Sequence, residues 1–308
     1  MNEFGTEEDK LWYQSISDSL TESESGSVQW NEPQIELFHV RWCGPCDAPA
    51  LVFLHDIATT PRTCFSEFIH KILNDSNPIS TKYQFVILTV IGHSTTTPSV
   101  PSSYSISDLS SQVETACTRI HLRDKILIGA GVGGTVMLLT TTRTPITRVR
   151  GLVLISPSLS PPKYYYYYSL SLLLKYYGSE HPPMKVLESA FSTRWFSPNV
   201  AENLTLSELE ITEKQEELGR LQKSILDSLS ELQSMNIGKY LEAYSNWSLD
   251  KNYEMFHEKE LKLLGSKGIH TMILIGRDSE CYSEVLDHML YFHSDYTTMI
   301  DENRASTF

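Results

Sequence analysis

Residues Ile126–Gly134 read Ile-Leu-Ile-Gly-Ala-Gly-Val-Gly-Gly and lead directly into Thr135-Val-Met-Leu-Leu. The opening run is short and apolar, which is typical of a strand that is buried on both faces of a parallel sheet. The glycines that follow permit a tight turn and let a helix pack closely over the strand. The stretch therefore predicts a strand–turn–helix unit in an α/β domain.

Two known motifs share this layout. The frame Gly129-Ala-Gly-Val-Gly133 is that of G-x-S-x-G, the nucleophile elbow of α/β-hydrolases, but Gly131 takes the place of the nucleophile. Glycine has no oxygen or sulfur that could attack a carbonyl. The glycines also fit the dinucleotide motif G-x-G-x-x-G, yet no Asp or Glu occurs between Asp124 and Glu180 to hold a ribose. A nucleotide site is therefore disfavoured, and close packing of helix on strand is the simplest interpretation.

Apolar runs alternate with helical patterns on both sides of this unit. Strands are predicted at 35–40, 51–54, 85–90, 125–128, 151–155, 271–275 and 296–300, and helices at 64–73, 107–120 and 133–142. Such alternation predicts an α/β fold, with a mostly parallel central sheet and helices on both faces. From 158 to 267 the patterns are mainly helical, as in a helical cap that is inserted into an α/β-hydrolase fold.

The predicted organisation has four segments. They are a disordered acidic N-terminal tail at 1–29, the first part of the α/β-hydrolase core at 30–157, the helical cap insertion at 158–267 and the last part of the core at 268–308. The tail lacks the basic and apolar regions of a signal peptide. Within the cap, an apolar stripe is expected to pack on the protein's own core rather than in a coiled coil. Its members are Leu218, Leu221, Ile225, Leu229 and Leu232.

Charge and hydropathy exclude several classes of function. The net charge of −13 argues against nucleic acid as a partner, since no basic stripe is present to neutralise phosphates. The longest apolar stretch, Tyr164–Leu174, is too short to span a bilayer, and few Lys or Arg residues flank it. We therefore expect a cytoplasmic protein whose membrane contact is at most peripheral. The sequence indicates no metal, no cofactor and no obligatory small-molecule ligand.

Trp42-Cys-Gly-Pro-Cys46 matches the thioredoxin redox motif letter for letter. That chemistry requires the first cysteine at a helix N-terminus, where the pKa of its thiol is lowered. Here the predicted strand 51–54 follows instead, so the motif is expected in a surface turn with ordinary thiol reactivity. A structural zinc would require a second pair of ligands, and Cys64 stands alone. A plain turn is favoured, while a redox role for Cys43 and Cys46 stays open.

A hydrolase of this type needs a nucleophile, an acid and a histidine in that chain order, with the histidine after the last strand. Asp278 fills the place of the acid, directly after the predicted strand 271–275. However, residues 301–308 contain no histidine, and Gly131 replaces the nucleophile. The sequence therefore predicts a non-catalytic protein with a degenerate pocket. This pocket would be formed by His55, Asp56, Gly131, Val132 and Asp278.

His55 and Asp56 stand where the oxyanion loop of a hydrolase follows a central strand. With no nucleophile opposite, His55 is expected to fix this loop through hydrogen bonds rather than to bind a ligand. A shallow pocket is expected above Gly131. The alternative to a non-catalytic protein is an esterase with a displaced nucleophile, for which Ser156 and Ser158 are the candidates.

Five consecutive tyrosines begin at Tyr164, in a segment that ends with Tyr176 and Tyr177. Five successive positions place rings all round a helix, so some rings must point away from the core. Exposed tyrosines are enriched in protein interfaces, because one end of the side chain is apolar and the other is polar. The segment is therefore a candidate partner surface, although solvated rings on a cap helix are an open alternative. Its tyrosines are Tyr164, Tyr165, Tyr166, Tyr167, Tyr168, Tyr176 and Tyr177.

Taken together, several stretches resemble the Ndr (N-myc downstream-regulated) family. They are Phe53-Leu-His-Asp-Ile57, Arg62-Thr-Cys-Phe65, Ile128–Gly134, Arg150–Ile155, Asn236-Ile237, Tyr240–Ser245, Ile273–Gly276 and Asp278-Ser279. The blocks keep the family's order from about Pro33 to Asn303, and the block around His55 is fairly specific. Two departures are visible. Val90-Ile-Gly-His93 replaces the family's Asp-Ala-Pro-Gly turn, and the family's last helix and tail are expected to be missing after Phe308.

The resemblance implies the α/β-hydrolase fold without hydrolase activity. It also implies roles in signalling, stress response and trafficking, exerted through protein contacts and with lipid contacts as a further option. We therefore expect a scaffold or signalling factor that acts through at least one protein partner.

Overall fold

The computed structural model describes residues 7–21, 34–35, 37–45, 47–74, 82–93, 102–143, 149–162, 164–178, 185–186, 191, 219–220, 223, 225–228, 232–249, 258–277 and 279–302. Eight strands form one sheet in the order β1-β2-β4-β3-β5-β6-β7-β8. The strands are β1 Gln34–Ile35, β2 Phe38–Cys43, β3 Ala50–Leu54, β4 Gln84–Val90, β5 Lys125–Ala130, β6 Val149–Ile155, β7 His270–Gly276 and β8 Thr297–Glu302. Strands β3 to β8 run parallel, and β2 pairs antiparallel with both β1 and β4. The predicted mostly parallel sheet is confirmed.

Helices cover both faces of the sheet, as predicted. They are α1 Glu7–Thr21, α2 Pro61–Asn74, α3 Ile106–Arg119, α4 Val132–Arg143, α5 Tyr164–Tyr177, α6 Ser234–Ser245, α7 Glu258–Ser266 and α8 Tyr282–Met289. The larger apolar core lies between one face and helices α3, α4, α6, α7 and α8, and the smaller core lies under α1 and α2. None of the described helices combines the length and apolar character that are needed to cross a bilayer.

The prediction of a disordered N-terminal tail is wrong for residues 7–21, which form α1. Trp12, Tyr13 and Ile16 of this helix are buried in the smaller core. At its start, Asp9 accepts a hydrogen bond from the Arg62 side chain of α2 at 3.0 Å. The Arg41 guanidinium lies 4.1 Å from the centre of the Tyr13 ring, a distance typical of a cation–π contact. The Ser- and acid-rich composition of the segment masked these few apolar anchors.

The predicted position of Cys43 is also wrong. It is the last residue of β2 and is buried, whereas a position in a surface turn was expected. The turn begins only at Gly44, whose φ is +110°. Burial raises the pKa of the Cys43 thiol, which opposes formation of the reactive thiolate. Cys46 lies outside the described residues.

Helices α5 and α6 lie between β6 and β7 in the chain and pack closely on each other. A Cβ atom at Gly238 would lie only 2.9 Å from the backbone oxygen of Ser171, so glycine is needed for this approach. Lys175 of α5 donates to Glu242 of α6 at 2.9 Å across the same contact. Ile225 and Leu232 of the predicted apolar stripe are buried in the larger core, and its other members lie outside the described residues.

Candidate functional site

The elbow is present, with Gly131 at its tip between β5 and α4. Its φ of +51° lies in the left-handed region that glycine adopts without a steric penalty. Its backbone N–H donates to the carbonyl of Ile155 on the neighbouring strand β6 at 2.9 Å. The chain therefore makes the sharp strand-to-helix turn that presents a nucleophile in hydrolases. At its tip, however, Gly131 has no side chain that could act as one.

The Asp56 carboxylate fills the space above this turn. A Cβ atom at Gly131 would lie 2.1 Å from Cγ of Asp56, far inside van der Waals contact. Oδ1 of Asp56 accepts a hydrogen bond from the Val132 N–H at 2.8 Å. In a hydrolase the N–H that follows the nucleophile is one donor of the oxyanion hole. Asp56 thus takes the space of the nucleophile and the hydrogen bond of the oxyanion.

The main chain of Asp56 is fixed by two residues that the sequence did not single out for this role. Thr59 donates its hydroxyl to the carbonyl of Asp56 at 2.8 Å, and the N–H of Asp56 points at Sγ of Cys64 at 3.4 Å. Oγ1 of Thr59 also lies 2.9 Å from Sγ of Cys64. Because Cys64 belongs to α2, this helix holds the loop in the position that places the carboxylate over Gly131.

His55 is buried and has both ring nitrogens engaged. The Val90 N–H donates to Nε2 at 3.0 Å, so this nitrogen is unprotonated, and Nδ1 is left to donate to the carbonyl of Asp56 at 2.8 Å. Burial lowers the pKa of His55 to about 4. A neutral imidazole without a spare lone pair cannot act as a general base, so His55 ties the loop to the end of β4.

His93 and Tyr240 close the site from above. The His93 ring centre lies 5.3 Å from that of His55 and 5.3 Å from that of Tyr240 on α6, to which the His93 ring is nearly perpendicular. Neither nitrogen of His93 has a hydrogen-bond partner in the described part of the chain. Burial lowers the pKa of His93 well below 6.5, and the neighbouring His55 makes a smaller contribution in the same direction. The rings of His55, His93 and Tyr240 therefore form one buried cluster beside the loop that carries Asp56.

The structure brings together four of the five predicted pocket residues, namely His55, Asp56, Gly131 and Val132, all of them buried. The shallow pocket expected above Gly131 is the volume that holds the Asp56 carboxylate. The fifth residue, Asp278, lies outside the described residues. No group of His, Cys, Asp and Glu suited to a metal ion occurs in the portion of the chain that the structure describes.

Neither candidate for a displaced nucleophile forms a hydrogen bond with a histidine in the described ranges. Ser156 is buried at the end of β6 with a φ of +42°. The hydroxyl of Ser158 lies 3.7 Å from Sγ of Cys281, and its carbonyl accepts from Thr135. Next to it, the N–H groups of Leu159 and Ser160 both donate to Glu284, which stabilises the loop by charge-assisted hydrogen bonds.

The tyrosine segment forms α5, with its rings divided between two environments. Tyr165 and Tyr176 are 84% and 86% exposed, and Tyr166 is also exposed. The ring centre of Tyr167 lies 5.4 Å from that of Tyr244 on α6, and the side chains of Tyr168 and Tyr177 are half-buried. The side chain of Tyr164 lies outside the described residues. As expected, the rings are too many for one helix face to bury.

A sequence model of the Ndr family matches residues 32–307. No curated protein sequence gives a significant match.

Three of the solved structures with a similar fold are hydrolases that share little sequence with this chain. A carboxylesterase of Nitrososphaera gargenis superposes with a TM-score of 0.62 at 11% identity, over 91% of this chain and 91% of that one. A carboxylesterase of Bacillus subtilis gives a TM-score of 0.58 at 16% identity, over 98% and 92%. An esterase of Exiguobacterium antarcticum gives 0.62 at 12% identity, over 89% and 91%. These likenesses show the α/β-hydrolase fold.

Proposed function

Because the chain belongs to the Ndr family, we propose that it uses the α/β-hydrolase fold without hydrolase chemistry, as a cytoplasmic scaffold or signalling factor that binds protein partners. The observation that carries the first half of this proposal is the position of Asp56. Its carboxylate occupies the space above Gly131 and takes the Val132 N–H that would otherwise stabilise an oxyanion.

Charge gives a further argument against acyl transfer at this site. An oxyanion that developed at the Val132 N–H would meet the Asp56 carboxylate instead of a free donor. Two negative charges within hydrogen-bond range repel each other. His55, the residue before Asp56, has both ring nitrogens engaged with backbone groups. The elbow therefore lacks a nucleophile and an open oxyanion hole, and the adjacent His55 is not available as a base.

Hydrolysis assays test the non-catalytic half. The purified chain is expected to show no turnover of activated acetate and butyrate esters above a heat-denatured control, and no labelling by a fluorophosphonate probe. An esterase with a displaced nucleophile predicts labelling that Ser156→Ala or Ser158→Ala removes. Such labelling would contradict the proposal and identify the nucleophile.

The partner surface that we propose is the outward face of α5. Tyr165, Leu172 and Tyr176 are all exposed and are spaced seven and four residues apart, so they form one stripe on the helix. The opposite face is anchored on α6, which leaves this stripe rigid and accessible. A cluster of exposed rings with polar tips is the kind of surface that marks binding sites on soluble proteins.

Proximity labelling in cells tests this surface. The double variant Tyr165→Ser with Tyr176→Ser is expected to lose specific neighbours that the wild type labels, with an unchanged melting temperature. Tyr291→Ser removes an exposed tyrosine between α8 and β8, outside α5, and serves as the control. If both variants keep the same neighbours as the wild type, partners do not dock on α5.

A further inference from the structure

The two edges of the sheet differ in length and in protection. One edge is β1, a strand of two residues, and short edge strands are a common way to avoid unwanted pairing. The other edge is β8, a strand of six residues that pairs only with β7 among the described strands. Its sequence, Thr-Thr-Met-Ile-Asp-Glu, has no lysine or proline, and its two charged residues stand at the C-terminal end, so Thr297–Ile300 lack the residues that commonly protect exposed edges. In the described part of the chain, the outer side of β8 thus has no strand partner.

Exposed apolar side chains adjoin this edge. Ile300 of β8 is 41% exposed, and Met272 of β7 is 38% exposed. Met272 pairs with Thr298 in the register of the two strands, so Met272, Thr298 and Ile300 lie on the same face of the sheet. Strand addition to this edge would cover part of the Ile300 side chain while satisfying the outer backbone groups of β8.

We propose that β8 pairs antiparallel with β8 of a second copy of this chain, so that two eight-stranded sheets join into one. The pair is related by a twofold axis perpendicular to the sheet, which keeps opposite side chains on the same face. With the axis at Met299, Thr298 lies opposite Ile300 of the second copy. Thr297 lies opposite Asp301 of the second copy, where its hydroxyl can donate to the carboxylate.

Charge selects this register over a neighbouring one. Asp301 accepts hydrogen bonds from Arg277 at 2.7 Å and from Tyr282 at 3.1 Å, and the bond from Arg277 holds the pKa of Asp301 below its usual value. Asp301 is therefore ionised at neutral pH. An axis at Asp301 would place two carboxylates directly opposite each other, which destabilises a strand pair. The axis at Met299 places each Asp301 opposite a threonine.

The oligomeric state of the full chain tests the proposal. Light scattering after gel filtration is expected to give a dimer for the wild type, and Ile300→Lys is expected to shift it to a monomer without lowering the melting temperature. Leu11→Lys introduces the same charge at an exposed leucine of α1, outside the proposed partner surface, and is expected to leave the dimer intact. A wild type that stays monomeric at all concentrations overturns the proposal, as does a dimer that Ile300→Lys leaves unchanged.

A single cysteine tests the register. In the proposed pair the two copies of residue 299 face each other with Cβ atoms about 4.5–5.5 Å apart, within reach of a disulfide after small shifts. Met299→Cys is therefore expected to give an oxidised dimer on a non-reducing gel, whereas the wild type reports any link through the native cysteines. Failure of Met299→Cys to cross-link overturns this register. A monomer whose β8 edge binds an unrelated extended peptide would make a peptide the occupant instead of a second copy.

Discussion

Oδ1 of Asp56 lies 2.8 Å from the backbone nitrogen of Val132, the first residue of α4. The first N–H groups of a helix have no partner within the helix, and a carboxylate there is favoured by both hydrogen bonding and the helix dipole. Asp56 therefore stabilises the start of α4 from a neighbouring loop. The group that blocks the elbow is at the same time a structural cap.

Asp56→Ala is expected to destabilise the protein by about 1–3 kcal/mol, because it leaves the buried Val132 N–H without a partner. Asp56→Asn keeps an acceptor oxygen and is expected to lose less. The free energy of unfolding in urea provides the measurement. Equal stabilities of the wild type and Asp56→Ala would show that the contact contributes nothing to folding.

Gly131→Ser is expected to destabilise the protein strongly and to leave it without esterase activity. The new Cβ would collide with the Asp56 carboxylate, and both ring nitrogens of the adjacent His55 already hold backbone groups, so His55 cannot activate the hydroxyl. Gly178 is a matched control, because its φ of +64° is similar and nothing lies within 4 Å of its missing Cβ. Gly178→Ser should therefore show only the backbone penalty of about 1–2 kcal/mol. Ester turnover by Gly131→Ser would reveal a base outside this site.

Much of the fold could be predicted because its signals are local. The strand 125–128 and the helix 133–142 follow from apolar runs and glycines within a few residues of each other, and the structure extends them only to Lys125–Ala130 and Val132–Arg143. The N-terminal helix was missed because its own local signal is weak. Its anchors Trp12, Tyr13 and Ile16 are few, and the acidic composition around them outweighed the spacing.

The position of the Asp56 carboxylate above Gly131 could not be predicted from the sequence, because it depends on strand register. Strands β3 and β5 pair Leu54 with Gly129, so the chain two residues further places Asp56 beside Gly131. The sequence named both residues as neighbours of one site, but a register shift of one residue would have pointed the carboxylate elsewhere. The role of Cys64 depends in the same way on how α2 packs against the loop.

Stability is expected to fall as the pH drops from about 6.5 towards 4, and the buried histidines are the cause. An unfolded histidine takes up a proton near its ordinary pKa of about 6.5, whereas burial lowers the pKa of folded His55 to about 4. In this window the unfolded state binds more protons, so the free energy of unfolding decreases with falling pH. His55→Gln is expected to flatten the slope, and His270→Asn, at an exposed position, is the control. An unchanged slope in His55→Gln would assign the acid sensitivity to other groups.

Trp12→Ala is expected to loosen α1 and to destabilise the protein by about 3–5 kcal/mol, the usual cost of removing a large buried aromatic side chain. Trp12 packs in the smaller core together with Phe65 and Ile69 of α2, so its loss uncovers apolar surface on the sheet face. Leu11 is the adjacent residue and is exposed, which makes Leu11→Ala the matched control with no expected effect. Urea unfolding gives the stability, and hydrogen exchange at the amides of α1 and α2 reports where protection is lost. Rapid exchange throughout α1 in the wild type, together with a stable Trp12→Ala variant, would show that the helix does not dock in solution.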